Sequence, residues 1–220
     1  DHRDLHSFPT RRSSDLIVTL ADGRNQPTDV CVDQGIVFWT EYPGAAHGVR
    51  GCVAAVPLAG GGVIRLGDAA TPTSLVVVGE QVYWAEGGPI AGIEGYGRVD
   101  MVNRAGGDVG TAFAGISMGT PPLAAAAWGV CIGDRWTVKR LPFDDSPLRV
   151  LASAQAPIAD VATNGATVVW IESDPFGTLR AVPATGGAVQ TLGSVNDLAG
   201  PIAVDAANAY ALGGDRKSVV

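Results

Sequence analysis

The chain has 220 residues, with 22 acidic against 15 basic side chains, a net charge of −7, and 46% hydrophobic but only 6% aromatic residues. Such an acidic composition argues against nucleic acid as a partner, because phosphate neutralisation needs clustered basic groups. No apolar run approaches the roughly 20 residues that span a bilayer, and no polybasic patch suits anionic lipid.

The two ends stand apart from the rest. Residues 1–16 (DHRDLHSFPTRRSSDL) resemble a translated sequencing adapter, and residues 215–220 (DRKSVV) resemble the same oligonucleotide read from the opposite strand. Both are set aside before any reading of the fold. Residues 17–214 then carry ten basic and eighteen acidic side chains, a net charge of −8, with Lys139 the one lysine and His47 the one histidine. This stretch is expected to be a fragment cut at both ends, its native leader and further repeats lying outside it.

In chain order, residues 17–21 (IVTLA) predict a short strand, followed by a turn at Asp22-Gly23-Arg24. A phrase then begins that recurs along the chain. At Pro27 it reads PTDVCVDQGIVFWTE, at Pro72 PTSLVVVGEQVYWAE, and at Pro157 PIADVATNGATVVWIE, with weaker copies at Pro122 and near Ala199, where Tyr210 takes the aromatic position. Each copy but the last starts on a proline, which belongs at a strand entrance because it has no N–H to give a ladder. A short β-branched run, a tight polar turn and a second run ending in aromatics follow, which is a hairpin. Glycine turns at residues 59–62, 105–108 and 185–187 then join a third strand to a fourth. The first unit is expected at 28–33, 36–41, 52–58 and 63–67. The third copy, with alanines in its first strand and Leu141-Pro142-Phe143-Asp144 in place of a glycine turn, is expected to be the least regular.

Starts are separated by 45, 50, 35 and 42 residues. A drifting period in the forties built only of strands predicts an all-β fold, a β-propeller of four-stranded antiparallel blades. The blades are expected near 27–67, 72–115, 122–152 and 157–193, with part of a fifth at 199–214. Four blades and a part leave a raw edge at each end of an open arc, which predicts self-association.

The aromatic-Trp-x-acid steps at Phe38–Glu41, Tyr83–Glu86 and Val169–Glu172 resemble the YWTD repeat of receptor-type β-propellers. The turns VPLAGG, VNRAGG and VPATGG at residues 56–61, 102–107 and 182–187 are similar to those of bacterial NHL and TolB-like propellers. The resemblance implies that Trp39, Trp84 and Trp170 pack between blades and that Glu41, Glu86 and Glu172 tie one blade to the next. It also implies an extracellular, periplasmic or surface-attached protein. Glutamate stands where the YWTD pattern has aspartate, which lengthens the tie by one methylene.

Chemistry-bearing groups are sparse. One histidine excludes a multi-histidine metal site in residues 17–214. Cys31, Cys52 and Cys131 have no zinc or CxxC spacing, and Cys31 and Cys52, on strands two apart at roughly 10 Å, lie beyond disulfide reach. The loops after the second strand of each blade share one face with the inter-blade connections, where propeller ligands usually bind. That places His47, Glu94 and Asp174 on one rim. Oxygen ligands there suit a hard cation such as Ca²⁺, although no Asp-x-Asp-x-Asp-Gly spacing is present and no cofactor is predicted. Phosphate-loop and GxSxG signatures are absent. Three function classes follow: a non-enzymatic binding propeller for a protein, glycan or small molecule; a lactonase-like hydrolase or lyase with a carboxylate-held metal; or a sensor or scaffold domain. The first leads, because inward strands reading Val-Cys-Val, Leu-Val-Val-Val and Ala-Ala-Ala offer little to hold a metal.

Overall fold

The computed structural model describes residues 17–43, 50–87, 97–117, 120–144, 146–195, 200–213 and 216–219, the side chains of 213 and 216–219 excepted. Its elements are all strands. Blade 1 comprises β1 (Pro27–Asp33), β2 (Ile36–Glu41), β3 (Gly51–Pro57) and β4 (Ile64–Ala69). Blade 2 comprises β5 (Pro72–Val78), β6 (Gln81–Glu86), β7 (Gly97–Asn103) and β8 (Gly110–Ile116). Blade 3 has β9 (Leu123–Ala126), β10 (Gly129–Asp134), β11 (Thr137–Pro142) and β12 (Arg149–Ser153). In blade 4 the strands are β13 (Ile158–Thr163), β14 (Thr167–Glu172), β15 (Thr178–Pro183) and β16 (Gln190–Ser194). β17 (Ile202–Val204), β18 (Ala209–Gly213) and β19 (Arg216–Val219) make a three-stranded fifth sheet.

Within every sheet the strands pair antiparallel in sequence order, so each blade is a meander. First strands lie side by side, β1 on β5, β5 on β9, β9 on β13 and β13 on β17, and they form the inner wall of the arc. Hairpin turns and third-to-fourth-strand turns therefore point to one face. The loops between second and third strands share the opposite face with the blade-to-blade connections.

The register explains the repeated phrase. Trp39 pairs with Val30, Trp84 with Leu75 and Trp170 with Val161, each opposite the β-branched or leucine start of its blade's inner strand. Side chains alternate across a strand. Trp84 thus faces backward, packing with Phe38, Val53 and Leu66 of blade 1, while its neighbour Tyr83 faces forward onto Leu123, Val130 and Ile132 of blade 3. Trp170 likewise packs backward on Cys131, Val138 and Leu151, and Val169 forward on Ala209 and Ala211. The hydrophobic core is a series of slabs between blades, so each aromatic pair serves two of them.

Residues 17–21 form no strand, contrary to the sequence expectation. Among the described residues no strand pairs with them. Leu20 and Ala21 instead lie against Trp39, Cys52, Ala54 and Val56 on the backward face of blade 1. Blade 3 is a complete four-stranded sheet with the shortest inner strand of the four, four residues. Residues 216–219, set aside on sequence grounds, pair with β18. An edge strand offers unpaired backbone to any extended segment that follows a turn.

Candidate functional site

Two sets of polar groups line the blade junctions, and a third surface lies open to partners. The first set is the acid ending each second strand. Glu86 accepts the backbone N–H of Ala70 at 3.0 Å and of Thr71 at 2.7 Å, both on the connection arriving from blade 1. It also accepts the indole N–H of Trp84 at 2.9 Å. Glu172 accepts Gln155 N–H at 3.2 Å and Trp170 Nε1 at 3.1 Å. Arg180 Nε lies 2.9 Å from the same oxygen without hydrogen-bond alignment. Glu41 takes Trp39 Nε1 at 2.6 Å, Arg24 Nε at 2.5 Å and Asn25 N–H at 3.4 Å. Burial works upward on the Glu41 carboxyl, but the hydrogen bonds from Arg24 and Trp39 outweigh it and hold the group below its ordinary range. Six residues named from the repeat, Trp39, Trp84, Trp170, Glu41, Glu86 and Glu172, are all buried in this arrangement.

Sequence reading missed the fourth member. Asp134 ends β10 where the other blades carry glutamate; it accepts Ser117 N–H at 2.7 Å and the ammonium of Lys139. Ile132 stands in the tryptophan position. The signal was present in the spacing, Ile132-Gly133-Asp134 against Trp84-Ala85-Glu86, and was hidden because neither the aromatic nor the glutamate recurs.

The second set was also missed. On the inner strand, one residue before the partner of the tryptophan, Asp29 accepts Leu75 N–H of blade 2 at 2.7 Å and Val30 N–H at 2.8 Å. Asp160 does the same for Ile202 of the fifth sheet at 2.8 Å and Val161 at 2.9 Å. Ser74 Oγ accepts Leu123 N–H of blade 3 at 3.0 Å. Burial pushes the Asp160 carboxyl up despite these donors, and the nearby Asp29 charge adds to the rise. Both oxygens of each aspartate are thus taken by backbone donors, leaving these inner carboxylates committed to joining blades.

The third surface is the face that carries the second-to-third-strand loops. Trp136 follows Asp134 there and is 45% exposed, Phe176 is 62% exposed and Tyr42 is 38% exposed. Arg135 lies over the Trp136 ring, 5.7 Å from its centroid. Beside them a recess of about 330 Å³ is lined by Ser117, Pro121, Arg135 and Pro157 among others. Of the rim residues read from sequence, Asp174 lies on this face. Its carboxylate accepts Phe176 N–H at 3.1 Å, Thr178 N–H at 3.0 Å and Thr178 Oγ1 at 2.5 Å, which fixes the loop. Burial pushes its pKa upward, but these bonds together outweigh it and hold the group below the ordinary range. His47 and Glu94 lie outside the described residues.

Among the described residues no group of three or more His, Cys, Asp or Glu side chains is placed to hold a metal ion. Cys31, Cys52 and Cys131 are free thiols, and burial pushes Cys131 up to about 12. No helix of the described residues is long and apolar enough to cross a membrane.

No family model and no curated sequence matches the chain. Solved structures do. A chain in the crystal structure of a nidogen/laminin complex superposes with a TM-score of 0.63 at 14% identity, over 86% of this chain and 71% of that one. The computationally designed Ika8 protein superposes at 0.60 and 13% identity, over 88% of this chain and 70% of that chain. The chain is a β-propeller. At these identities the likeness carries the architecture, and the superfold hosts unrelated functions.

Proposed function

We propose that this β-propeller is a non-enzymatic protein-binding module that engages its partner with the face bearing Tyr42, Arg135, Trp136 and Phe176. The observation that carries the reading is the exposure of Trp136, Phe176 and Tyr42 on loops of one face, in a chain with only 6% aromatic residues. Trp, Tyr and Arg are the residues most enriched at energetic hot spots, and an exposed aromatic cluster on a rigid scaffold costs little ordering entropy on binding. The recess beside Arg135 would take one anchoring side chain of the partner. With a net charge of −7, the chain favours a partner whose rim is basic around an apolar centre. The commitment of the inner carboxylates to backbone N–H groups supports binding over metal-assisted hydrolysis. The nidogen/laminin structure belongs to a protein complex, which agrees with this reading by analogy of fold alone.

Selection of a displayed library of small folded proteins against the immobilised chain tests it. Binders should lose at least about tenfold in affinity to Trp136→Ala and to Phe176→Ala, on the order of the 1.4 kcal/mol expected of a hot spot. Binders that ignore both substitutions would overturn it.

A further inference from the structure

On the opposite face, each junction between complete blades has a notch bounded by the hairpin turn of one blade and the third-to-fourth-strand turn of the next. At the junction of blades 1 and 2, Arg104 fills it. The guanidinium sits 5.5 Å from the Phe38 ring centroid, donates to Asp33 Oδ2 at 2.8 Å and to the Gly79 carbonyl at 3.2 Å. Between blades 3 and 4, Trp128 fills it, donating Nε1–H to the Gly165 carbonyl at 2.6 Å with Arg140 stacked 4.6 Å from its ring. Both plugs are planar groups that bring an N–H to an acceptor on a hairpin turn.

At the junction of blades 2 and 3 the residue in the plug position has no N–H to give. Gln81 pairs with Asn103 as Gly129 pairs with Pro142, so Phe143 stands where blade 2 has Arg104. Phe143 stacks on Tyr83 at 5.7 Å and an interplanar angle of 23°, and remains 40% exposed. In the Trp128 position blade 2 has Glu80, which is not part of the lining. A cavity of about 770 Å³ results, lined by Val78, Gly79, Tyr83, Met101 and Ala112 from blade 2 and by Phe143 and others from blade 3. That is within the range of small-molecule sites, which are mostly apolar with a few polar handles.

We propose that this notch binds a neutral planar heteroaromatic group carrying an N–H donor, of which indole is the simplest case. The neighbouring junctions show which chemistry the geometry accepts: a flat ring or guanidinium with an N–H aimed at the turn. Neutrality follows from the lining. Val78 occupies the place of Asp33, each being the last residue of its inner strand before the turn, so among the described lining residues no carboxylate awaits a guanidinium. Burial pushes the Tyr83 phenol up, which keeps it an uncharged hydroxyl beside the ligand. The Met101 thioether adds a soft, polarisable contact for an aromatic ring.

Such a group reaches the notch either as a free small molecule or as a tryptophan side chain of a peptide. Methyl NMR on protein labelled at methionine separates the two, with indole and N-acetyltryptophanamide as probes. Indole is expected to move the Met101 signal saturably, with a dissociation constant on the order of 1 mM or tighter, as suits so small a ligand. Phe143→Ala should weaken this at least several-fold. If N-acetyltryptophanamide binds as well as indole, the notch takes a side chain; if only indole binds, it takes a free molecule. A Met101 signal unmoved by indole at about 10 mM would overturn the proposal. So would an equal shift in Ala112→Trp, designed to plug the cavity. The titration of the unaltered chain decides the matter should either variant fail to fold.

Discussion

Blade 2 seals its incoming connection with Trp84 and Glu86, whereas blade 3 places Ile132 and Asp134 at the same two positions and adds Lys139. The longer acid of blade 2 reaches two backbone N–H groups and an indole. The shorter acid of blade 3 reaches one backbone N–H, and its second oxygen is satisfied by an ammonium. Side-chain exposure of Asp134 is 2% and of Lys139 14%, so this pair is far from the solvent-screened surface ion pairs that contribute little. At these two junctions both oxygens of the acid are occupied and the donor is exchangeable, whereas Glu172 gathers its donors on one oxygen and leaves Oε2 without a partner. The exchange has a cost, because a buried charge has replaced a neutral indole and depends on one partner.

That contrast can be broken most strongly at the aromatic. Trp84→Ala should lose about 3–5 kcal/mol, since it removes a fully buried ring from the slab between blades 1 and 2 and one donor from Glu86. Ile132→Ala, at the matching site, should lose less, about 2–4 kcal/mol. Urea unfolding followed by tryptophan fluorescence and circular dichroism would compare them, and equal losses would show that the indole is not the larger contributor.

The charge is the next lever. Asp134→Ala strands the Lys139 ammonium and should cost about 3–4 kcal/mol. Glu86→Gln keeps an acceptor but turns an amide N–H₂ toward a backbone N–H, and should cost about 1–3 kcal/mol. Were Glu86→Gln the more damaging of the two, the donor set would matter more than the buried charge.

Packing supplies a smaller effect at the residue between each pair. Blade 3 has Gly133 there, and an added Cβ would come within 2.8 Å of Pro122 Cγ and 2.9 Å of Ile158 Cγ2. Gly133→Ala should therefore cost about 1–3 kcal/mol by overpacking, measured in the same urea series. In blade 2 this position already carries Ala85, fully buried.

Acid titration gives the smallest signal. The Glu41 carboxyl is held below its ordinary value of 4.5 in the folded chain, so the unfolded chain binds its proton first as pH falls. Its contribution to stability is present above that ordinary value and is lost as pH drops through the lower folded one. Unfolding midpoints measured from neutral pH down into that window should fall less steeply for Glu41→Gln than for the unaltered chain.

The architecture was legible because the hairpin phrase repeats its proline, its branched run and its aromatic end, and each of these has a local physical cause. The acids Glu41, Glu86 and Glu172 stood out with their tryptophans. Asp134 did not, because an aspartate two residues after isoleucine has no local mark; its role depends on Lys139 and on Ser117, which meet it only after blade 2 and blade 3 are side by side. Asp29 and Asp160 were in view as Thr-Asp-Val and Ala-Asp-Val, yet an aspartate near a turn reads as solvated charge until the next blade brings its N–H. Exposure was the least legible property. Trp136, open on the loop between β10 and β11, and Trp84, sealed in the slab between blades 1 and 2, are told apart once the blades stand side by side.

The glutamate ties span few residues along the chain: Glu86 bonds Ala70 and Thr71, 16 and 15 positions back, and Glu172 bonds Gln155, 17 back. Such short loops cost little closure entropy. The aspartate ties, by contrast, join residues more than forty apart, Asp29 to Leu75 and Asp160 to Ile202. A chain leaving the ribosome can therefore clasp each incoming connection as soon as that blade's second strand emerges, and lock blade to blade only when the following inner strand arrives. Loop length thus favours folding as a zipper along the sequence, with each glutamate's short tie ahead of the longer aspartate one.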